Sequence, residues 1–523
     1  MPIKTYAPFG NGGNILDVTV NISEGEDAFT IKGLSSERLE GTKDTVRSAI
    51  ENSGYTFPKG QVDISLTPTS QVSENPVPSE FDADTALAVA LAILCKDKED
   101  ALPRSQDVDV MAIGHLAPSG EIQRCTGVYA VLDEAVQNDI RYAIIPKNSE
   151  QIPDRVIVQA APNLVDAFTA MTCVDEIEVY GDNMAMNKSN GFEQLEDRMT
   201  TFRPLSEGET SAVTALSPTL LYVLAVAIAG KHNLVICNHE RRGSITERLS
   251  WVIPQLMSNL SLCEQKEVSR LYSIAGLAET GAKSVYRPLI APEHSLTLEG
   301  LCGGGTQCRP GAATLAHRGV LFIKDMGEYR ASVIQMLSSI LQAKKITLSR
   351  AGRSTTFPAD CQLIATLKPC ACGNFGASEY DGKCICSETA VKRYQARTKK
   401  LSKYIDITYD MMHPVEPRRT FSDIGVVCGS IKGAMSCQIA RQGKYNSQLT
   451  RLSDIRMTDM AKEYLRRIRQ EHSLTKEDIV RVARVARTIL DLQGDYGTVG
   501  YESVELASKF LRVSSLTEPV IMP

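Results

Sequence analysis

The chain of 523 residues contains no Gly-Lys pair followed by Ser or Thr. A phosphate-cradling loop needs the spacing G-x-x-x-x-G-K-[ST]. Its glycines let backbone amides close on the phosphates, its lysine reaches the terminal phosphate, and its hydroxyl holds magnesium. The nearest miss, residues 276–284, has Ala282 between Gly281 and Lys283 and no apolar strand leading into it. Other absences narrow the class further. The longest apolar runs, residues 86–95 and 220–229, fall well short of the roughly 20 residues that span a bilayer. The first residues, Met1-Pro2-Ile3-Lys4-Thr5-Tyr6, lack the apolar stretch of a secretory signal. The expected location is therefore the cytoplasm, with no membrane partner. A basic excess is missing too: 57 Lys and Arg stand against 62 Asp and Glu, so no global footprint for nucleic acid exists. Local basic stretches at 392–403, 466–469 and 481–487 are read equally as solvated helix faces. No internal repeat is present, and the seven histidines form no ligand spacing with the cysteines.

What is present is ordinary globular composition, 43% hydrophobic and 23% charged, at a length that suggests about three domains. Alternation at Asp17-Val18-Thr19-Val20-Asn21-Ile22, at Ala28-Phe29-Thr30-Ile31 and at Val62-Asp63-Ile64-Ser65-Leu66 predicts half-buried strands. Residues 36–53 carry Leu39, Val46 and Ile50 on one helical face, and residues 86–95 form a helix buried nearly all round. An α/β first domain follows, over 1–182. The polar segment near 183–208 reads as a linker. Beyond it, an apolar helix from Leu220 leads into a strand at 233–237 and a helix ending at Leu256. The runs Val320-Leu321-Phe322-Ile323 and Gln362-Leu363-Ile364-Ala365-Thr366 suit central strands of a parallel sheet, which deliver their following residues to the edge where ligands bind. The tail from about Asp454 is helical, with Ile479, Val482, Ala483, Val485, Ala486, Ile489 and Leu490 making a core-facing stripe.

Between Gly230 and Gln255 an apolar strand turns into a helix where a phosphate loop would belong, but only Gly243 remains of the loop, followed by Ser244 and Ile245. Around that gap stand His232-Asn233-Leu234, Gly303-Gly304-Gly305, Arg309-Pro310-Gly311, His317-Arg318-Gly319-Val320-Leu321-Phe322, Leu348-Ser349-Arg350 and Phe357-Pro358-Ala359. The first domain adds Ala28-Phe29-Thr30-Ile31-Lys32-Gly33-Leu34 and Asn52-Ser53-Gly54-Tyr55-Thr56-Phe57-Pro58, and the tail adds Val485-Ala486-Arg487-Thr488-Ile489. In order and spacing this set resembles the ComM-type, magnesium-chelatase-like AAA+ ATPases over nearly the whole chain. The resemblance implies a Lon-protease-like (S5-type) first domain, an AAA+ parallel-sheet core over 209–410 and a helical lid over 411–523. It also implies hexameric rings and DNA processing.

The departures from the family fall on its chemistry. Where members carry Asp-Glu after the Walker B strand, this chain has Lys324 and Asp325; the sensor asparagine is matched by Lys368, the arginine finger by Tyr404, and the lid's sensor arginine by Glu477. A missing arginine finger alone costs about 10³ to 10⁵ in rate, so ATP with magnesium is not expected as a cofactor. Lys324 is read as a built-in cation beside Asp325, joined by Glu240. The Lon-like domain offers no serine in register within residues 80–84, and Gln123 stands where a lysine would fall, so peptidase chemistry is not expected.

Cys370-x-Cys372 and Cys384-x-Cys386 lie eleven residues apart on a turn-rich insert. Four thiolates suit tetrahedral structural zinc; reduced free thiols or an oxidised pair are the alternatives. The resulting expectation is a catalytically degenerate ComM-like pseudo-ATPase, homo- or hetero-oligomeric, with an active AAA+ paralogue or DNA as partner. The alternatives are an ATP-driven branch-migration motor of transformation and recombination, and a magnesium-chelatase-like motor subunit.

Overall fold

The computed structural model describes residues 2–69, 83–98, 108–147, 149, 152–153, 155–172, 216–238, 245–277, 285–350, 353–376, 383–418, 420–421 and 423–512. The expected linker at 183–208 lies outside them.

Strong period-2 patterning builds the first sheet. Strand β1 (Ile3–Phe9) turns back through Gly10 into β2 (Gly12–Ser23), then come β3 (Ala28–Lys32), helix α1 (Ser36–Asn52) and β4 (Gln61–Pro68). Helix α2 (Ala86–Asp97), β5 (Val110–Ala112), α3 (Val128–Gln137), β6 (Tyr142–Pro146), β7 (Ile157–Ala161) and α4 (Leu164–Thr172) complete the unit. The seven-stranded order is β3-β4-β2-β1-β5-β6-β7, antiparallel where β2 meets β1 and β4 and parallel elsewhere. Helix α2 is buried from Ala86 to Cys95, because it contacts the sheet at β1, β2 and β5 and packs against α1 and α4. An all-apolar helix is stable in water only in such a place.

The second sheet is wholly parallel. Helix α5 (Pro218–Gly230) starts with Ser217 accepting a hydrogen bond from the Leu220 amide and with proline in its first position, both favoured at helix starts. There follow β8 (Leu234–Cys237), α6 (Ile245–Leu256), α7 (Leu262–Ala275), β9 (Leu289–Ile290), β10 (Val320–Ile323) and α8 (Ala331–Ala343). A hairpin of β11 (Lys345–Arg350) and β12 (Arg353–Pro358) precedes β13 (Gln362–Leu367), α9 (Glu388–Thr398) and β14 (Ile407–Asp410). The order β9-β10-β13-β8-β14 puts β8 between β13 and β14, so its carboxyl end opens one strand in from the side of the sheet.

Four helices follow: α10 (Ile424–Gln442), α11 (Asp459–Glu471), α12 (Lys476–Leu492) and α13 (Tyr501–Arg512). The expected α12 stripe is buried from Ile479 to Leu490. These helices share one apolar core with α5 and β8, so the helical C-terminal part packs onto the sheet and has no separate core among the described residues. Among the described residues no helix is long and apolar enough to cross a membrane.

The two sheets meet through polar contacts. Arg270 on α7 reaches Asp133 and Glu134 on α3, each at 2.6 Å, and donates to the Asn11 carbonyl at 3.0 Å. The β1–β2 turn docks on the hairpin: the Asn11 amide donates to Thr355 Oγ1 at 3.0 Å, and the Arg353 guanidinium lies 3.8 Å from the Phe9 ring centroid. Gly10 has φ +61, and a Cβ there would meet the Thr355 side chain at 2.3 Å, so glycine is required on both counts.

Candidate functional site

At the carboxyl edge β8 ends at Cys237. Asn238 follows, its amide donating to the Leu367 carbonyl at 2.9 Å. Gly243, Ser244 and Glu240 lie outside the described residues, and α6 resumes at Ile245. On the neighbouring strands, Lys324 and Asp325 leave β10 and Lys368 leaves β13. Asp325 sits in the left-handed region at φ +46, which is uncommon for a side chain with a Cβ, and its amide donates to Thr366 Oγ1 at 2.9 Å. The cation that faces it is Lys368, at 3.9 Å from Oδ2, with side chains about one-fifth and one-third exposed. Lys324 makes no ion pair among the described residues, which corrects the expectation that it neutralises Asp325. The physical reason is the chain reversal at Asp325: the left-handed turn presents the carboxylate to the adjacent strand's end. Two buried acceptors, Asp325 Oδ1 and Asn238 Oδ1, have no hydrogen-bond donor among the described residues.

Tyr404 and Glu477 are elsewhere. Both line a cavity of about 560 Å³ at the amino edge of the same sheet. In a parallel sheet, residues that precede one strand and those that follow another lie at opposite edges, separated by about 3.3 Å for each strand residue. Tyr404 precedes β14, whereas Lys324 follows β10, so the five described residues of the expected nucleotide site do not form one site within one chain. The Tyr404 hydroxyl donates to Gln342 at 2.8 Å, and Glu477 is exposed in the first turn of α12.

The four cysteines do come together. Sγ–Sγ distances are 3.4 Å for Cys370–Cys372, 3.7 Å for Cys370–Cys384 and 3.6 Å for Cys372–Cys384, and Cys386 completes a group whose sulfurs all lie within 4.8 Å of one another. Four sulfurs about 2.3 Å from a central ion at tetrahedral angles would be about 3.8 Å apart, so the group could hold zinc. The chain folds this way because Gly373 and Gly376 take positive φ, and the Gly373 amide closes on the Cys370 carbonyl at 3.0 Å. Burial pushes the Cys372 thiol up, but backbone amides of Asn374 and Ile385 outweigh it and hold the thiol near 6. Gly382 and Asp381 lie outside the described residues.

Family models agree with this layout. Residues 219–419 match magnesium chelatase, subunit ChlI; residues 18–149 match subunit ChlI of Mg-chelatase; and residues 425–510 match the ChlI C-terminal region. The chain belongs to the magnesium chelatase ChlI family. Its ChlI-type relatives include competence protein ComM of Haemophilus influenzae, 26% identical over 515 residues covering 94% of each chain. YifB of Escherichia coli is 25% identical over 385 residues, 71% of this chain and 69% of its own. An uncharacterised protein of Mycobacterium tuberculosis is 28% identical over 392 residues, 74% and 71% respectively. The ChlI C-terminal match corresponds to α10–α13, and the central match holds the whole parallel sheet.

The sequence did not reveal the polar network that joins the parallel sheet to helix α12. His232 Nδ1 lies 3.4 Å from Asp406, and its Nε2 lies 2.8 Å from Thr488 Oγ1 on α12. Arg484 also binds Asp406. Burial keeps His232 neutral by lowering its pKa. Burial opposes the charge on Asp406, yet Arg484 and His232 together hold that carboxyl near 2. His232 and Thr488 each stood in a family-like run, but nothing in the sequence paired them across 256 residues or marked Asp406, 174 residues from His232. In the first domain, Gln123 is exposed and pairs with His115, whose Nδ1 is 2.6 Å from Asp84; residues 79–82 lie outside the described residues.

Proposed function

We propose that the chain is a catalytically degenerate ComM-like AAA+ protein, a pseudo-ATPase with an assembly or regulatory role in DNA processing. The observation that carries this reading is the Lys368–Asp325 contact at the carboxyl edge, where an ammonium occupies the neighbourhood in which family members arrange magnesium. It stands beside a sequence with no G-K-[ST] and with Tyr404 in the arginine-finger place. The loop lysine, the magnesium carboxylate pair and the finger, the groups that stabilise charge on a transferring phosphoryl in the family, are all replaced here. The zinc insert would be structural, and the first domain, 1–182, would be Lon-like. The placing of Tyr404 and Glu477 at the edge opposite Lys324 supports a hexameric ring, since such residues serve a neighbour's site. That neighbour would be another copy of this chain or an active paralogue. The relative named for competence supports the DNA-processing role.

A second reading is an ATP-driven branch-migration motor with an unconventional site. It is favoured by the two orphan oxygens, Asp325 Oδ1 and Asn238 Oδ1, which a hydrated cation would satisfy. Hydrolysis assays on purified protein with ATP and magnesium separate the two. The pseudo-ATPase reading expects phosphate release at background; turnover in the parent that Asp325→Ala abolishes would establish the motor instead.

A further inference from the structure

We propose that the cavity at the amino edge of the core sheet binds a compact multivalent oxyanion of the pyrophosphate class, gripped by Lys231, Lys403 and Lys444. This goes beyond the reading above and does not depend on it.

The cavity lies in the cleft between the starts of β8, β13 and β14, the loop at 443–450 and helix α12. Its volume, about 560 Å³, falls in the range of small-molecule sites, which favour such seams. Seven lysines and arginines line it against four carboxylates. Three of the carboxylates are already committed: Glu264 is clamped by Arg287 at 2.8 and 3.0 Å, Asp360 by Lys344 at 2.9 Å, and Asp406 by Arg484. Arg481 is also committed, to Asp478 and to the carbonyls of Ser402 and Ile405. Only Glu477, exposed on the lid, has no ion pair among the described residues. Against it stand Lys444, with no ion pair among the described residues, Lys403, which lies 4.9 Å from the Tyr404 ring, and Lys231. The surplus is cationic, and the three residues line one cleft.

Lys231 is the anchor. It caps α5 in the left-handed conformation, φ +53, and its ammonium lies 4.0 Å from the Tyr445 ring centroid. Its nearest carboxylate, Glu264, is 3.9 Å away and belongs to Arg287. Burial, and after it the like charge of Arg287, brings the ammonium down to about 7. Arg318 acts in the same direction, and Glu264 and Asp360 oppose it. A cation held so weakly gains most from an incoming anion, which favours its protonated form. Ligand binding should therefore take up a proton near neutrality.

The test is calorimetric titration of the full chain with inorganic pyrophosphate without nucleotide or magnesium, at pH 6.5 and 8.5. Saturable binding below millimolar concentration is expected, weakened at least tenfold in Lys403→Ala with Lys444→Ala and unchanged in Lys324→Met, at the opposite edge. Should the double variant fold poorly, Lys444→Ala alone, on a half-buried side chain, should still weaken binding several-fold. Relative to Lys231→Met, in which only pyrophosphate's own gain of negative charge with pH remains, the parent should lose affinity several-fold between pH 6.5 and 8.5. Absence of binding at 10 mM, equal affinity in parent and folded lysine variants, or equal pH dependence in Lys231→Met would overturn the proposal. So would a short single-stranded oligonucleotide competing at equal phosphate concentration, because it would assign the lysines to a nucleic-acid backbone. None of these results bears on ATP turnover.

Discussion

The Lys368 ammonium and the Asp325 carboxylate face each other at the carboxyl edge of the parallel sheet. Asp325 keeps a buried oxygen without a donor among the described residues and has its other oxygen 3.9 Å from Lys368. Because both side chains are partly exposed, the pair contributes about 1 kcal/mol or less rather than the 3 to 5 kcal/mol of a fully buried ion. Lys368→Met should lower the melting temperature by no more than a few degrees, and Asp325→Asn in the same chain should restore part of it. Lys324→Met should leave it unchanged; a larger loss from Lys324→Met than from Lys368→Met in thermal melts would reverse the assignment. The cysteines carry the other residue-scale prediction. Protein prepared without chelator should contain one zinc per chain by elemental analysis, lost in Cys384→Ser with Cys386→Ser. An unchanged metal content in that variant would remove these thiols from any site. The four clustered cysteines were legible because C-x-C pairs on a glycine-rich turn are a local signal. The Lys368 contact was not, because it depends on which strand lies beside β10 and on the backbone of one residue.

Elements were readable wherever a period or a long run existed. Strand β2 alternates, α2 is apolar over ten residues, and the α12 stripe recurs at helical spacing; all three are found where expected. Strands such as β9, of two residues, and β5, of three, carry no period and are defined only by parallel partners far away in sequence. The β11–β12 hairpin escaped for a different reason: its residues are largely polar and exposed on one side. The joint between lid and core is the element-scale feature that acid should expose. The Asp406 carboxyl is held near 2, below its usual 3.8, so its contribution is complete above pH 4 and is lost as pH falls through 2. Relative to Asp406→Asn, the parent should lose about 1 kcal/mol of unfolding free energy by pH 3 and about 2 kcal/mol by pH 2. Neutral His232 adds in the same direction, since below pH 6.5 the unfolded chain takes up a proton that the folded chain refuses. Urea unfolding at several pH values measures this; a parent–variant difference that stays flat from pH 5 to pH 2 would show that Asp406 is not the acid-sensitive tie.

At the scale of the molecule, two sheets with separate cores are held together by a small polar seam centred on Arg270. Arg270→Ala strands Asp133 and Glu134 without their shared cation and removes the donor to the Asn11 carbonyl. Calorimetric unfolding should then resolve into two transitions, the first-domain one shifted most, whereas a single transition at the parent's temperature would mean the seam is held by other contacts. The α/β class of both halves and the helical end were legible from the order of runs. Their mutual arrangement was not, because its contacts pair residues such as Asn11 and Thr355, 344 positions apart.

That separation has a consequence in time. A ribosome adds about 5 to 20 residues per second, so the β1–β2 turn must wait roughly 20 to 70 seconds after its own emergence before Thr355 exists to receive it. Arg270 is made before the hairpin and can reach the Asn11 carbonyl first, whereas Phe9 stays uncovered until Arg353 emerges. The domain's seven strands close on their own hydrophobic cluster, so it can fold within the wait. Neighbouring nascent chains on one messenger would display the same turn before their own hairpins arrive. The seam is thus the last tertiary contact of the first domain to become available during synthesis, and the first place where two growing copies could exchange partners.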